Sequence, residues 1–237
     1  MATDNGTIID STAGIIDRNI DSTGMPGVSR GPINYATNSF RAANGFTNGT
    51  QVSFTIYIDP ATGAVSAINL TFFEPADEGT VYDAAHPIAG TLQVGAGQTV
   101  TLSGTSVGGQ VTVNAAKIII KSHNNMRTTL GRGLNARGGA TVVFYNSEIQ
   151  GTVVVNNCQK FSASKGNLRS TVVSNNNTVS VSFDAVMIDD SLVATNNASV
   201  SVTNCTIAGD LVLNHNTACS SPAGSNTVTG ENLGCQP

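Results

Sequence analysis

Tryptophan is absent from the 237 residues, aromatic residues make up 5% and charged residues only 11%, less than half of the roughly 25% usual in soluble domains. So few Glu, Lys and Arg leave little to clothe the solvent face of helices, which excludes a helical bundle. Eleven Lys+Arg against fifteen Asp+Glu, a net charge of −4, exclude the concentrated basic footprint of a nucleic-acid groove. No apolar run approaches the roughly 18 residues of a membrane span, and the opening MATDNGTIID lacks the basic and apolar segments of a signal peptide, so either the protein stays inside the cell or its signal has been removed. The four cysteines form no CxxC pair and have no His at ligand spacing, so no zinc site and no cofactor are expected.

What is present is Gly and Asn, 25 of each, with abundant Thr, Val and Ile in a chain that is 40% apolar. That apolar fraction can bury enough surface to offset the ordering entropy, which excludes wholesale disorder and points to an all-β chain.

A repeat organises the second half. The pattern apolar-x-x-x-apolar-x-apolar recurs at Ile88/Leu92/Val94, Val107/Val111/Val113, Leu130/Leu134/Ala136, Ile149/Val153/Val155, Leu168/Val172/Ser174, Ile188/Leu192/Ala194 and Ile207/Leu211/Leu213. Its anchors step by 19, 23, 19, 19, 20 and 19 residues. A second inward pair follows each anchor by about twelve residues, from Val100/Leu102 through Phe161/Ala163 to Cys219/Ser221. Period-two alternation in both tracks predicts two short strands per repeat, with room for a third short side. Units of this length that stack to bury a shared face form a solenoid. The expected fold is a single-stranded parallel β-helix of about seven coils over 88–237, preceded by an N-terminal extension over 1–87. Within that extension QVSFTIYI-DPATG-AVSAINLTFF reads as a hairpin from about Gln51 to Phe73.

Seven residues after the anchors stands a column that includes Asn114, Asn156, Asn175 and Asn214. It predicts corners where Asn adopts left-handed backbone and amides bond from coil to coil. Five residues after the anchors, where side chains face outward, come Val154, Val173, Val193 and Val212. Four valines in a straight row make an apolar ridge about 15 Å long that calls for a covering, either the N-terminal region or another subunit. Cys219 falls on the inward track and Cys235 near the chain end, so a Cys219–Cys235 disulfide capping the last coil is expected, the alternative being a reduced Cys219 in the core. Cys158 and Cys205 occupy different coil positions and read as small buried fillers.

The ending GDLVLNHNTACSSPAGSNTVTGENLGCQP resembles the last coil of secreted bacterial parallel β-helix proteins, and the coil pattern resembles that of bactofilins, polymer-forming β-helices. The resemblance implies an exported, structural or adhesive solenoid.

A catalytic centre finds little material. Polysaccharide-cleaving β-helices need outward carboxylates converging with a Lys or Arg. The candidates are Asp184, Asp189, Asp190 and Asp210, of which Asp189 stacks one coil above Arg169 as a solvated ion pair, while Asp190 and Asp210 offer a weak cation site. His86, His123 and His215 are scattered, and GRGLNARGG (131–139) lacks the Lys-Ser/Thr and helix of a phosphate loop. The expected protein is a non-enzymatic extracellular subunit that forms a homo-oligomer or homopolymer in a filament, sheath or surface appendage. The alternatives are a phage tail-fibre module of the virion that binds a surface glycan, and a polysaccharide-degrading enzyme.

Overall fold

The structure, a computed structural model, describes residues 3–10, 14–18, 32–35, 51–72, 75–123 and 126–236. All regular elements among them are strands, and they divide into two compact units, 1–73 and 74–237.

In the first unit, β1 (Thr3–Asp10), β2 (Ile15–Arg18), β3 (Ile33–Tyr35), β4 (Gln51–Ile58) and β5 (Val65–Phe72) close on themselves in the order β1-β2-β3-β5-β4. β4 and β5 form the expected hairpin, with Val52 opposite Phe72 and Ile58 opposite Val65. Its turn is built by Asp59, whose carboxylate accepts the Ala61 N–H at 2.8 Å and whose carbonyl accepts from Gly63. Gly63 sits at a φ of 69°, a conformation open to glycine at no steric cost. Ile16, Ile33, Val52, Phe54, Ile56, Ala67 and Leu70 fill the interior. β1 pairs antiparallel with β2, Ile8 opposite Ile16, and on its other edge with β4 of the hairpin.

The second unit is a parallel β-solenoid with three faces. The first face is an eight-stranded sheet. Its rungs, numbered 1 to 8 here, are Leu92–Val94, Val111–Asn114, Leu134–Arg137, Val153–Asn156, Val172–Asn175, Leu192–Thr195, Leu211–Asn214 and Asn232–Gln236. The second face begins at Thr80–Asp83 and runs through Thr99–Ser103, Lys117–Lys121 and Thr141–Tyr145 to Ala218–Ser220. The third is narrow, with two-residue strands such as Ser106–Val107, Thr129–Leu130 and Glu148–Ile149. In the middle coils the second and third faces merge into Lys160–Leu168 and Ser180–Ile188.

The third face corrects one detail of the periodicity. The anchors Val107, Leu130, Ile149, Leu168, Ile188 and Ile207 lie on the third face, where Ile88 bridges to Val107, and the two inward residues that follow each lie on the first. The apolar-x-x-x-apolar-x-apolar track therefore turns a corner. The three residues between anchor and pair form the corner, where Gly109, Gly151, Gly209 and Gly230 stand because a Cβ there would sit within 2.9 Å of backbone in the turn before.

The solenoid is longer than the repeat indicates at both ends. Thr80–Asp83 pairs in parallel with Thr99–Ser103 and turns Tyr82 inward beside Leu102, so the boundary expected at 87 falls at 73. Residues 75–78 are fastened over the second face by ion pairs of Glu78 with Lys117 and of Asp77 with the buried Lys121, which also donates to the Pro75 carbonyl at 2.8 Å. At the other end Asn232–Gln236 adds rung 8 against Leu211–Asn214, with a bulge between Val212 and Leu213 that places Cys235 opposite Leu213. The core packs large side chains against small ones from coil to coil, Val142–Phe161–Val181 in one column and Phe144–Ala163–Phe183 in the next. This interdigitation brings the Phe161 and Phe183 ring centroids to 5.4 Å.

Candidate assembly surface

The first face presents its outer side as three parallel rows. Cα register places Val154 beside Val173, Val173 beside Val193, Val193 beside Val212, and Val212 beside Leu233. The ridge is thus five residues long; Leu233, which the repeat did not reach, is 43% exposed. The valines alternate with fully buried neighbours, as in Val172 and Val153, so their outward direction follows from the pleat. On rungs 4 to 6 the flanking rows are Thr152, Thr171 and Ser191 on the entry side and Asn156, Asn175 and Thr195 on the exit side. The patch holds one charge, the exposed Asp190 at the entry of rung 6, whose carboxylate accepts from the Thr171 hydroxyl. Further charge stands at its ends: exposed Arg132 and Arg137 bracket rung 3, and Asp210 and Glu231 enter rungs 7 and 8.

Asn114, Asn156, Asn175 and Asn214 end their strands and pair in register with the next rung. They do not take up the left-handed corner expected of them. That conformation falls one residue later, at Ala115, Gly138, Asn157, Asn176, Asn196 and His215, with φ between 50° and 66°. The amide ladder lies one residue further still, and inside the solenoid. Asn177 and Asn197 are 2% and 1% exposed. Each side-chain oxygen accepts the backbone N–H of the coil before it: Cys158 to Asn177 at 2.7 Å, Asn177 to Asn197 at 3.0 Å and Asn197 to Asn216 at 2.9 Å. Because the sequence shows only a run of three asparagines at 175–177, strand end, corner and ladder are indistinguishable there without the coil geometry.

Cys219 and Cys235 are joined, with Cα atoms 5.6 Å apart. The bridge ties the last strand of the second face to rung 8 of the first, across the end of the core. Cys158 and Cys205 are buried free thiols, and burial pushes both up to about 11.

The acidic candidates do not converge. Asp184 accepts from the Thr203 hydroxyl and the Asn204 amide on the next coil of the second face. Asp189 accepts from Arg169 at 3.0 Å, and Arg169 also reaches Glu148 at 3.2 Å, forming the solvated cross-coil pair the sequence indicated. Both contacts, Asp189 first, hold the guanidinium in its charged form. The Thr171 hydroxyl donates to Asp190 at 2.6 Å and keeps that carboxylate below its usual range. Asp210 accepts the Glu231 N–H at 2.8 Å. These carboxylates bind neighbouring turns, and among the described residues no three His, Cys, Asp or Glu side chains are grouped to hold a metal. His86 contacts Asp83 at 2.8 Å, His123 sits in the insertion whose backbone pairs with Met126, and His215 occupies a corner. In GRGLNARGG, Gly133 and Gly138 have φ of 101° and 66° and serve corners.

No protein-family model, no curated protein and no solved structure matches the chain.

Proposed function

We propose that the protein is a non-enzymatic structural subunit whose solenoid self-assembles outside the cell into an oligomer, filament or sheath. The observation that carries this reading is the ridge from Val154 to Leu233, flanked on rungs 4 to 6 by short hydroxyl and amide side chains. A contiguous apolar row on a flat sheet face with few charges is the surface a second protein covers. The Cys219–Cys235 bridge supports the extracellular setting, because such bridges persist in oxidising compartments. The scattered carboxylates and histidines support a role without chemistry. The resemblance of the ending to secreted β-helix proteins supports the same reading.

Negative-stain microscopy of the full chain after size exclusion tests it: filaments or closed oligomers support assembly, and monomers at every concentration remove it. A second reading, adhesion to a neutral surface glycan, draws on the outer hydroxyls of the second face, where Ser162, Ser182 and Ser201 stack in register and Ser182 donates to Ser162 at 3.1 Å. A glycan panel probed with full-length protein, scored for both retention and cleavage, separates adhesion from the polysaccharide-degrading alternative.

A further inference from the structure

The first face carries charges that, together with its valine ridge, constrain how a second copy sits on it. Arg132 and Arg137 flank rung 3, exposed, and neither has an acidic partner among the described residues. Arg132 lies in the turn entering the face and Arg137 ends the strand on the exit side. Glu231 lies in the entry turn of rung 8, exposed, with its backbone held by Leu211 and Asp210 and its carboxylate outside the ion pairs of the described residues. Between these ends rungs 4 to 7 present valine at the centre, with the exposed Asp190 and Asp210 on the entry side of rungs 6 and 7, where Asp190 accepts from the Thr171 hydroxyl and Asp210 from the Glu231 N–H.

A face that packs on its own copy around a two-fold axis has two choices. With the axis along the solenoid, each rung meets the same rung of the partner and entry turns meet exit sides, so Arg132 faces the partner copy's Arg137, like against like. With the axis along the strands, the solenoids run antiparallel and entry turns meet entry turns. Centring that axis on the four valines, between rungs 5 and 6, sets rung 4 against rung 7 and rung 3 against rung 8, and leaves Asp190 and Asp210 opposite the partner copy's Thr171 and Thr152. Val154 then faces the partner copy's Val212, Val173 faces its Val193, and Arg132 faces its Glu231, twice per dimer.

We infer that the first face binds a second copy of this chain antiparallel, with the valine ridges of rungs 4 to 7 apposed and Arg132 paired with Glu231 at both ends. The inference rests on the assembly reading above and specifies its interface. Six rungs at about 4.8 Å, each about 13 Å wide, bury roughly 750 Å² in total, below the 1,200–2,000 Å² of standard interfaces. The contact is therefore weak, and the experiment belongs at tens to hundreds of micromolar and low salt.

The test uses the full chain with two sets of variants. Arg132→Glu and Glu231→Arg each create two like-charge contacts and are expected to weaken dimerisation about tenfold or more, while the double swap returns it to within about threefold of wild type. Val154→Cys and Val212→Cys, mixed and oxidised, are expected to cross-link to each other, and Val154→Cys alone is expected not to cross-link to itself. Melting curves confirm that each variant is folded. Dimers in which Val154→Cys links to itself and Arg132→Glu strengthens association overturn the antiparallel arrangement and leave the assembly reading standing. Assembly indifferent to both sets also overturns it, by placing the contact elsewhere. A monomer throughout overturns both.

Discussion

Asn177 donates its side-chain amide to the side-chain oxygen of Asn197, one coil on, at 2.7 Å. Both residues are buried. The same oxygen accepts the Asn177 backbone N–H at 3.0 Å, and Asn216 repeats the arrangement under Asn197. A solenoid core of aliphatic side chains alone would tolerate slippage of one coil against the next, and a polar column with fixed partners penalises it.

Replacing Asn197 with Leu removes the acceptor from the buried Asn177 N–H, and an orphaned buried donor costs about 1–3 kcal/mol. Asn197→Leu is expected to lose about 2–3 kcal/mol in denaturant unfolding, allowing for the added side-chain misfit. Asn176→Gly, at an exposed corner with φ of 54°, is expected to be neutral or slightly stabilising. Equal losses at the two sites would contradict the ladder.

Gly166 faces the Phe144 ring, and a Cβ on it would lie 2.6 Å from both the ring edge and the Ser147 carbonyl oxygen. Gly166→Ala therefore overpacks the core and is expected to cost about 1–3 kcal/mol. Shortening the ring in the double variant Gly166→Ala/Phe144→Leu relieves one of the two clashes. A double-mutant cycle showing a favourable coupling between the substitutions supports the packing, and strict additivity contradicts it.

The thiols give a chemical count. Cys158 and Cys205 are buried, with titration pushed up to about 11, so an aromatic disulfide reagent at neutral pH is expected to find no reactive thiol in the native protein and two after unfolding. Reduction raises the unfolded count to four. In the chain-entropy model the 16-residue separation of Cys219 and Cys235 corresponds to about 3 kcal/mol. Exchange of the amides at 231–236 is expected to accelerate on reduction, while those at 153–156 stay protected.

Burial lowers Lys165 to about 8 from an ordinary 10.5. The folded state therefore binds fewer protons than the unfolded one between those values. The penalty of burying this amine is complete below pH 8 and is relieved as pH rises from about 8 to 10.5. Lys165→Met removes the titration and keeps the stem, so the variant is expected to be more stable than wild type at pH 7 and to lose that advantage by pH 10.5. A stability difference that does not change over the window contradicts the assignment.

The fold was legible because its core anchors are aliphatic and nearly equally spaced from Ile88 to Ile207. The pattern failed where rungs lack that signature. Rung 8 sets Asn232 and Cys235 opposite Leu211 and Leu213 in place of an apolar pair, and Thr80–Asp83 shows no spacing to match. The ridge was legible from alternation alone, without Leu233, because Asn232 and Gly234 stand beside it where the repeat has its apolar pair. The asparagines were misplaced by one and two residues, since strand end, corner and buried ladder use the same side chain at 175, 176 and 177. What pairs Arg132 with an acidic end is a matter of rung order, visible only once the coils are stacked.

Sedimentation of the full chain across concentration tests the central claim most directly, with Val173→Lys/Val193→Lys as the comparison. The account predicts a mass that rises above the 24.2 kDa monomer for wild type and stays at the monomer for the lysine pair, with similar melting temperatures. A wild type that remains monomeric to hundreds of micromolar, or a lysine pair that assembles equally well, would contradict it.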